Sequence, residues 1–380
     1  MMNNTVKMTL KIAAAAGLLY LFLLSIGLMG GAFKGFGKDF DENLVATTSN
    51  PFIGLMIGIL ATCVVQSSST TTSVVVGIVG SGGLTVGCAI PIIMGANIGT
   101  TVTNTLVSLG HVGRREEFKK AIAAATVHDF FNLICVSIMF PLEVITDKLF
   151  GIGFLEKGAT MLSAQFENVG GLKFTSPIKM IIKPVVKQIQ HLLENAFNSE
   201  HIAYGIMLAL SFVLLFFALY FIVKVMKSLV VERAEIVLNN VIHKNGHLAL
   251  LAGLMFTIAV QSSSITTSLL IPMVAAGILT VESVFPITMG ANIGTTTTAI
   301  LASFATGNIS AIIIAFVHFL FNTIGVICIY PIPVFRKIPI RLAHLLGEVA
   351  ATKRRYAFIY VLVVFFVLPA LFIFIPKLFN

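Results

Sequence analysis

The feature that most constrains this chain is a duplicated polar motif. The segment Gln66–Ser73, which reads QSSSTTTS, recurs 195 residues further on as Gln261–Ser268, which reads QSSSITTS. At the same offset, Met94–Thr101 (MGANIGTT) recurs as Met289–Thr296. Two motifs that repeat in one register indicate two related halves, each of which must fold in a similar way.

Composition places these halves in a membrane. Of the 380 residues, 57% are hydrophobic and 11% charged, and the mean hydropathy is +0.98. Soluble domains carry about 25% charged residues, so the composition excludes a soluble domain, a disordered chain and a nucleic-acid reader. We expect an all-α polytopic (multi-pass) protein whose partner is the lipid bilayer. The apolar stretch Ile12–Gly31 is longer than a signal-peptide core and predicts a retained membrane helix.

The loops predict that the halves face opposite ways. Arg114–Lys120 carries four basic residues and should be cytoplasmic, whereas the equivalent loop Ala305–Ser310 carries no charge. The basic stretches Lys224–Lys244 and Arg336–Arg355 should also be cytoplasmic. With the three basic stretches in the cytoplasm and Ala305–Ser310 on the outer side, the two halves form an inverted repeat. Such a repeat has a pseudo-two-fold axis in the membrane plane.

The QSSS segments predict re-entrant hairpins. Each lies between two apolar arms, Pro51–Val65 with Val74–Val86 and Leu248–Val260 with Leu269–Val281. Arms of this length make about 20 Å of helix, which is short of the hydrocarbon core of about 30 Å. A polar turn is tolerated at that depth only where protein buries it or water reaches it.

These features predict six regions along the chain. They are an N-terminal helix and outer loop (1–50), repeat 1 (51–142), an extracytoplasmic connecting segment (143–200), a linking helix with a basic cytoplasmic loop (201–247), repeat 2 (248–330), and a basic cytoplasmic loop with a C-terminal helix (331–380). Within the connecting segment, the stretch Ile178–Phe197 mixes lysines with apolar residues at helical spacing and predicts an amphipathic helix.

The repeated motifs hold many hydroxyl and amide groups but almost no charge. Pro51–Gly110 contains no charged residue, and Leu248–Phe335 contains only Glu282. Hydroxyl, amide and helix N-terminal N–H groups suit a tetrahedral oxyanion, and the oxygens of the same groups suit sodium ions that would balance its charge. Because Ser, Thr and Gly also mediate close helix packing, a purely structural role is the alternative.

A third pair of motifs carries histidine and asparagine. His128 and Asn132 are spaced i, i+4, as are His318 and Asn322, so each pair shares a helix face. We favour an interhelical hydrogen-bond lock for all four, and we expect the ionisable Asp129 near the start of its helix. The four cysteines form no CxxC pair and lie in apolar segments, so we expect neither a zinc site nor a disulfide.

The doubled QSSS, the repeated MGANIGT and the HDFFN segment resemble the type II sodium/phosphate cotransporter family, including its bacterial members. The resemblance implies sodium-coupled symport of inorganic phosphate by alternating access, with sodium as the co-transported ion and no organic cofactor. It implies phosphate contacts from Ser67, Ser68, Ser69, Ser262, Ser263, Ser264, Asn97 and Asn292. It also implies sodium contacts from Gln66, Gln261, Thr70, Thr100, Thr266 and Thr295.

Several alternatives remain open at this point. The carrier could take another oxyanion, such as sulfate or a dicarboxylate, or the hairpins could line an ion channel. An intramembrane serine hydrolase is disfavoured because no Gly-x-Ser-x-Gly turn frames the serines, so we expect no enzyme. The segment 142–200 contains no cysteine and looks unlike the disulfide-bearing loop of animal members, which favours a bacterial inner membrane. A homodimer stays an open expectation.

Overall fold

The computed structural model describes residues 4–37, 45, 48–167, 177–242 and 245–374, without the side chains of 4–5, 7, 166–167, 177 and 230–242. The predicted outer loop, connecting segment and basic cytoplasmic stretch 224–244 therefore fall partly outside the described residues. Every regular element within them is helical. The helices are α1 Asn4–Phe36, α2 Pro51–Val65, α3 Ser68–Ser81, α4 Val86–Gly99, α5 Val102–Ser108, α6 Arg115–Phe150, α7 Phe154–Glu167, α8 Pro177–Ala196, α9 Glu200–Ile242, α10 Gly246–Val260, α11 Ser263–Ala275, α12 Val281–Thr306, α13 Ile309–Ile329, α14 Pro333–Thr352, α15 Arg355–Leu362 and α16 Leu368–Phe374.

Six helical stretches in the described residues are long and apolar enough to cross a membrane. They are Met8–Phe36, Val86–His111, Arg115–Phe150, Glu200–Leu229, Ile309–Ile329 and Arg355–Phe374. In the last of these, a π-helical turn at Val363–Val367 joins α15 to α16. These spans confirm an all-α, multi-pass membrane protein.

The two QSSS segments each join a pair of short helices, but the arms differ from those predicted from sequence. The second arms begin at Ser68 and Ser263, not at Val74 and Leu269, and they end at Ser81 and Ala275. The sequence analysis assigned the Ser/Thr run to a turn because it is polar. The later hydroxyls of the run instead bond back within the helix: Thr72 Oγ1 donates to the Ser68 carbonyl at 2.8 Å, and Ser73 Oγ to the Ser69 carbonyl at 2.7 Å.

Glycines of the MGANIG segment bring the first arm of each hairpin into backbone contact with the next helix. A Cβ atom at Gly95 would overlap the Leu55 carbonyl oxygen, and one at Gly290 would overlap that of Leu250. Helices α2 and α4 therefore pack as closely as α10 and α12 do. For these glycines the packing alternative is correct, since only glycine permits this approach.

The two halves pack reciprocally. Helix α3 of the first half lies against α12 and α13 of the second, and α11 of the second half lies against α5 and α6 of the first. Each hairpin thus sends its second arm into the opposite half. The two QSSS turns lie close enough to each other to line one cavity.

Two smaller predictions have different outcomes. The amphipathic stretch is confirmed as helix α8, which buries Ile182 against α1. The placement of Asp129 near a helix start is wrong, because α6 begins at Arg115 and carries Asp129 at its buried middle. The charged stretch Arg114–Lys120, assigned to a loop from the sequence, instead caps and begins α6. Glu116 and Glu117 lie in its first turn, where the positive end of the helix dipole stabilises carboxylates.

Candidate functional site

Both QSSS turns have the same strained backbone. Gln66 ends α2 in the left-handed region at φ 56° and ψ 28°, and Gln261 ends α10 at φ 58° and ψ 26°. The following serines, Ser67 and Ser262, are extended. A non-glycine residue in this region costs about 1–3 kcal/mol, and its recurrence at two equivalent positions marks a built feature of the fold.

Each turn opens a new helix. Ser67 Oγ caps α3 by accepting from the backbone N–H of Thr70 at 3.2 Å, and it also accepts from Thr70 Oγ1 at 2.9 Å. Ser262 Oγ caps α11 by accepting from the Ile265 N–H at 3.4 Å. The first N–H groups of such a helix have no acceptor within it and carry partial positive charge. Two such ends can hold an anion.

The two turns line one cavity of about 290 Å³. Helix α9 closes one side with four mainly apolar side chains. The lining consists of Val65, Gln66, Ser67, Ser68, Ser69, Thr70, Phe216, Leu219, Tyr220, Val223, Gln261, Ser262, Ser263, Ser264 and Ile265. No residue of this lining is charged.

The glutamines of the two turns differ in their hydrogen bonds. Gln261 Oε1 accepts from Thr298 Oγ1 at 2.9 Å, and Gln261 Nε2 donates to the Ile258 carbonyl at 2.6 Å. The residue equivalent to Thr298 in the first half is Thr103, whose Oγ1 is buried without a hydrogen-bond partner in the described part of the chain. Gln66 is exposed to the cavity and makes no such bond to Thr103.

A second asymmetry involves two further threonines. Thr257 Oγ1 and Thr266 Oγ1 share a hydrogen bond of 2.7 Å in the second half. In the first half, the Oγ1 of Thr62 is buried and has no partner among the described residues, while Thr71 Oγ1 donates to the Ser67 carbonyl. The hydrogen bond between Thr257 and Thr266 thus has no counterpart between Thr62 and Thr71.

The two MGAN asparagines do not line the cavity. Asn292 Oδ1 lies 2.5 Å from His128 Nε2, and Asn292 Nδ2 donates to Asn132 Oδ1 at 2.8 Å. Asn97 accepts from Asn132 Nδ2 on its carbonyl at 2.7 Å and from Asn322 Nδ2 on Oδ1 at 3.1 Å. This buried network ties the two halves together, as an interhelical lock requires.

The remaining predicted residues divide between the cavity wall and the helices behind it. Thr70 lines the cavity, whereas Thr100 and Thr295 are buried and donate to the carbonyls of Ala96 and Ala291 in their own helices. His318 is buried, and neither ring nitrogen has a partner among the described residues.

Sequence reasoning missed several polar residues near the site. Thr298 could have been found, because it matches Thr103 at the repeat offset. Asn104 carries no such signal, yet its Oδ1 accepts from Thr267 Oγ1 at 2.8 Å and from Ser268 Oγ at 3.3 Å, which joins α5 to α11. Tyr220 of the cavity wall lies in an apolar helix with no motif around it.

These features define a class: a multi-pass helical membrane protein in which two related halves enclose an uncharged polar cavity. The sequence model of the Na+/Pi-cotransporter family matches residues 21–164 and 214–327. The chain belongs to this family.

Curated relatives extend the likeness over almost the whole chain. It is 36% identical to sodium-dependent phosphate transport protein 2B of Pongo abelii, and equally to that of Homo sapiens, over 93% of this chain and 63% of each relative. It is 37% identical to sodium-dependent phosphate transport protein 2A of Rattus norvegicus, over 95% of this chain and 67% of the relative. The chain thus spans about two thirds of the length of these relatives. No solved structure matches it with significance.

Proposed function

We propose that this chain is a sodium-coupled symporter of inorganic phosphate. The observation that carries the proposal is the meeting of two equivalent QSSS turns at one uncharged cavity. The relatives are named as sodium-dependent phosphate transport proteins, and this supports the same pair of solutes here. The absence of cysteine from 142–200 favours the inner membrane of a bacterium as its location.

The serines of the cavity would hold the phosphate. Ser68 and Ser263 are 6% and 3% exposed and start α3 and α11, where hydroxyl and backbone N–H donors lie together. A phosphate between the two turns would accept from both helix ends. Because both ends carry partial positive charge, the two halves would contribute comparably.

Sodium would supply the charge that the cavity lacks. A sodium ion about 4 Å from a phosphate oxygen gains roughly 4 kcal/mol at the effective dielectric constant near a protein surface. The carboxamide oxygens of Gln66 and Gln261, with nearby hydroxyls such as Thr70, are suitable ligands for it. Binding of the ion and of the anion would then each strengthen the other, which is the thermodynamic basis of coupling.

The fold is suited to alternating access. Helices α2 and α10 each have 15 residues and reach only about 22 Å. We infer that the two hairpins are re-entrant, enter from opposite faces and meet near the bilayer midplane. The reciprocal packing of α3 and α11 on the opposite halves supports this inverted arrangement.

The decisive experiment is uptake of labelled phosphate into proteoliposomes that contain the purified full chain. We expect saturable uptake that needs an inward sodium gradient and is lost when choline or potassium replaces sodium. Non-saturating flux would indicate a channel. Stronger inhibition by sulfate or succinate than by unlabelled phosphate would assign another oxyanion, and equal uptake in choline would refute sodium coupling.

Serine variants locate the phosphate site. Ser68→Ala or Ser263→Ala removes one donor to the anion, worth about 1–3 kcal/mol, so the phosphate KM should rise roughly five- to 150-fold. Ser137→Ala is the matched control, because its hydroxyl is exposed and donates to the Leu133 carbonyl of its own helix. Unchanged kinetics in both cavity variants would remove the serines from the phosphate site.

A further inference from the structure

A second cavity, of about 220 Å³, lies between α1, α3, α8 and α12. It shares no lining residue with the QSSS cavity. Four lysines line it, Lys34 near the end of α1 and Lys179, Lys183 and Lys187 on α8. We refer to this space as the lysine cavity.

Within the described part of the chain, the four ammonium groups have no anionic partner. No acidic residue lines the lysine cavity, and none of the four lysines forms an ion pair or a hydrogen bond with a residue that the structure describes. Lys179, Lys183 and Lys187 follow at i, i+4 and i+8, so like charges stack along one face of α8. Such pairs destabilise a helix unless a counter-charge lies beside them.

Helix C-termini explain two of these lysines. Lys34 lies in the last turn of α1, where the helix dipole favours a cation. The Lys179 side chain lies against Gly307, the residue that ends α12, where a cation is favoured by the helix dipole. Burial, together with the charges of Lys34 and Lys183, lowers the pKa of Lys179. The ammonium groups therefore act on one another, and the capping role leaves Lys183 and Lys187 unexplained.

We propose that the lysine cavity binds a phosphate group, with its oxygens placed between the four ammonium groups. A phosphate group carries one or two negative charges and several acceptor oxygens, which suits several separate ammonium donors. Gln190 also lines the cavity, but its amide nitrogen donates to Glu194 Oε1 at 2.8 Å, so the four ammonium groups are the donors on which the proposal rests.

The group could come from free inorganic phosphate or from the headgroup of an anionic lipid. Helix α3 connects the two cavities: Ser68 and Ser69 at its start line the QSSS cavity, and Gly80 and Ser81 at its end line the lysine cavity. Its 14 residues span about 20 Å. If the lysine cavity collects free phosphate for transport, that part of the inference rests on the proposed function.

Footprinting of lysines tests the site without any transport. The full chain in neutral detergent and sodium-free choline buffer is acetylated with an amine-reactive reagent, and each lysine is quantified by mass spectrometry. We expect millimolar inorganic phosphate, compared with chloride of equal ionic strength, to slow acetylation of the four cavity lysines several-fold. Lys148 and Lys157, which are exposed on α6 and α7 outside the cavity, are the matched controls and should not change.

A second arm distinguishes the sources. In phosphate-free buffer, nanodiscs of phosphatidylglycerol are compared with nanodiscs of phosphatidylcholine. Protection by phosphatidylglycerol alone would assign the group to a lipid, and protection by free phosphate in detergent would assign it to the inorganic ion. Absence of protection in both arms overturns the proposal.

Measurements of phosphate uptake then test whether a site for free inorganic phosphate contributes to transport. Replacing Lys179, Lys183 and Lys187 together by glutamine should raise the phosphate KM about tenfold at low salt, with kcat unchanged, because an attractive field no longer concentrates the anion. The arginine counterpart keeps the charge and should behave as the wild type. If the wild-type chain does not transport phosphate at all, the proposed function fails, while the footprint still decides the site.

Discussion

Two identical substitutions at equivalent positions should have opposite effects on stability. Thr298→Val removes the hydroxyl that donates to Gln261 Oε1 at 2.9 Å. Thr103→Val removes a hydroxyl whose Oγ1 is buried without a partner among the described residues. Valine has nearly the shape of threonine, so each change deletes a hydroxyl and little else.

The magnitudes follow from the cost of hydrogen bonds and of unpaired polar groups. Thr298→Val should cost about 0.5–1.5 kcal/mol for one lost hydrogen bond. Thr103→Val should raise the free energy of unfolding by about 1–3 kcal/mol, because it removes a buried unpaired hydroxyl. An unfolding entropy of about 2.1 cal/mol/K per residue over this chain gives roughly 0.8 kcal/mol/K, so the melting temperatures of the two variants should differ by about 2–6 °C.

The assay must use a probe that suits this chain, which contains no tryptophan. Cys63 and Cys135 are free and buried, so a fluorogenic maleimide that reacts as they become exposed reports thermal unfolding in detergent. Thr352→Val is the control, because its exposed hydroxyl donates within its own helix. Equal destabilisation by Thr103→Val and Thr298→Val would refute the asymmetry between the halves.

Other substitutions test the packing and the connecting segment. Gly95→Ala should destabilise the protein by about 1–3 kcal/mol because its Cβ would meet backbone, whereas Gly87→Ala in the same helix has open space and should be neutral or stabilising by thermal melting. Glu143→Gln should loosen α7, whose first N–H groups donate to that carboxylate, and limited proteolysis of the connecting segment should become faster. Hydrogen bonds from Gln190 and Tyr204 lower the pKa of Glu194 below its usual 4.5; the stability they give is present above that value and lost as pH falls through the lowered pKa, so Glu194→Gln should flatten the acid side of a melting profile.

The helices and hairpins were predictable because hydropathy and the repeat register reinforce each other. The first arm of each hairpin begins within two residues of its predicted start and ends where predicted, at Val65 and Val260. The start of each second arm was not predictable from polarity alone. Serine and threonine are typical of turns, yet here Ser67 caps the helix, and Thr72 and Ser73 donate back to its carbonyls.

The site was predictable only in its repeated part. The QSSS motifs identify two of the three walls, because duplication makes them visible. The third wall, Phe216 to Val223 of α9, is apolar and looks like any membrane helix until the fold places it beside the turns. Asn97 and Asn292 belong to the same motifs as the glycines, but which face of a buried helix meets the cavity depends on packing between distant segments.

The two halves share their motifs and their backbone at the turns, yet they differ in how their polar side chains are bonded. To bind through Gln261 and Thr298, a sodium ion must compete with the bond between them. In the first half, the oxygens of Gln66 and Thr103 are not bonded to each other, so an ion there displaces no protein hydrogen bond between them. Under the proposed function, the free energy of occupying the first half is therefore lower by about the worth of one hydrogen bond, 0.5–1.5 kcal/mol. Equivalent motifs thus do not imply equal affinity for sodium, and the two halves can bind their ions one after the other.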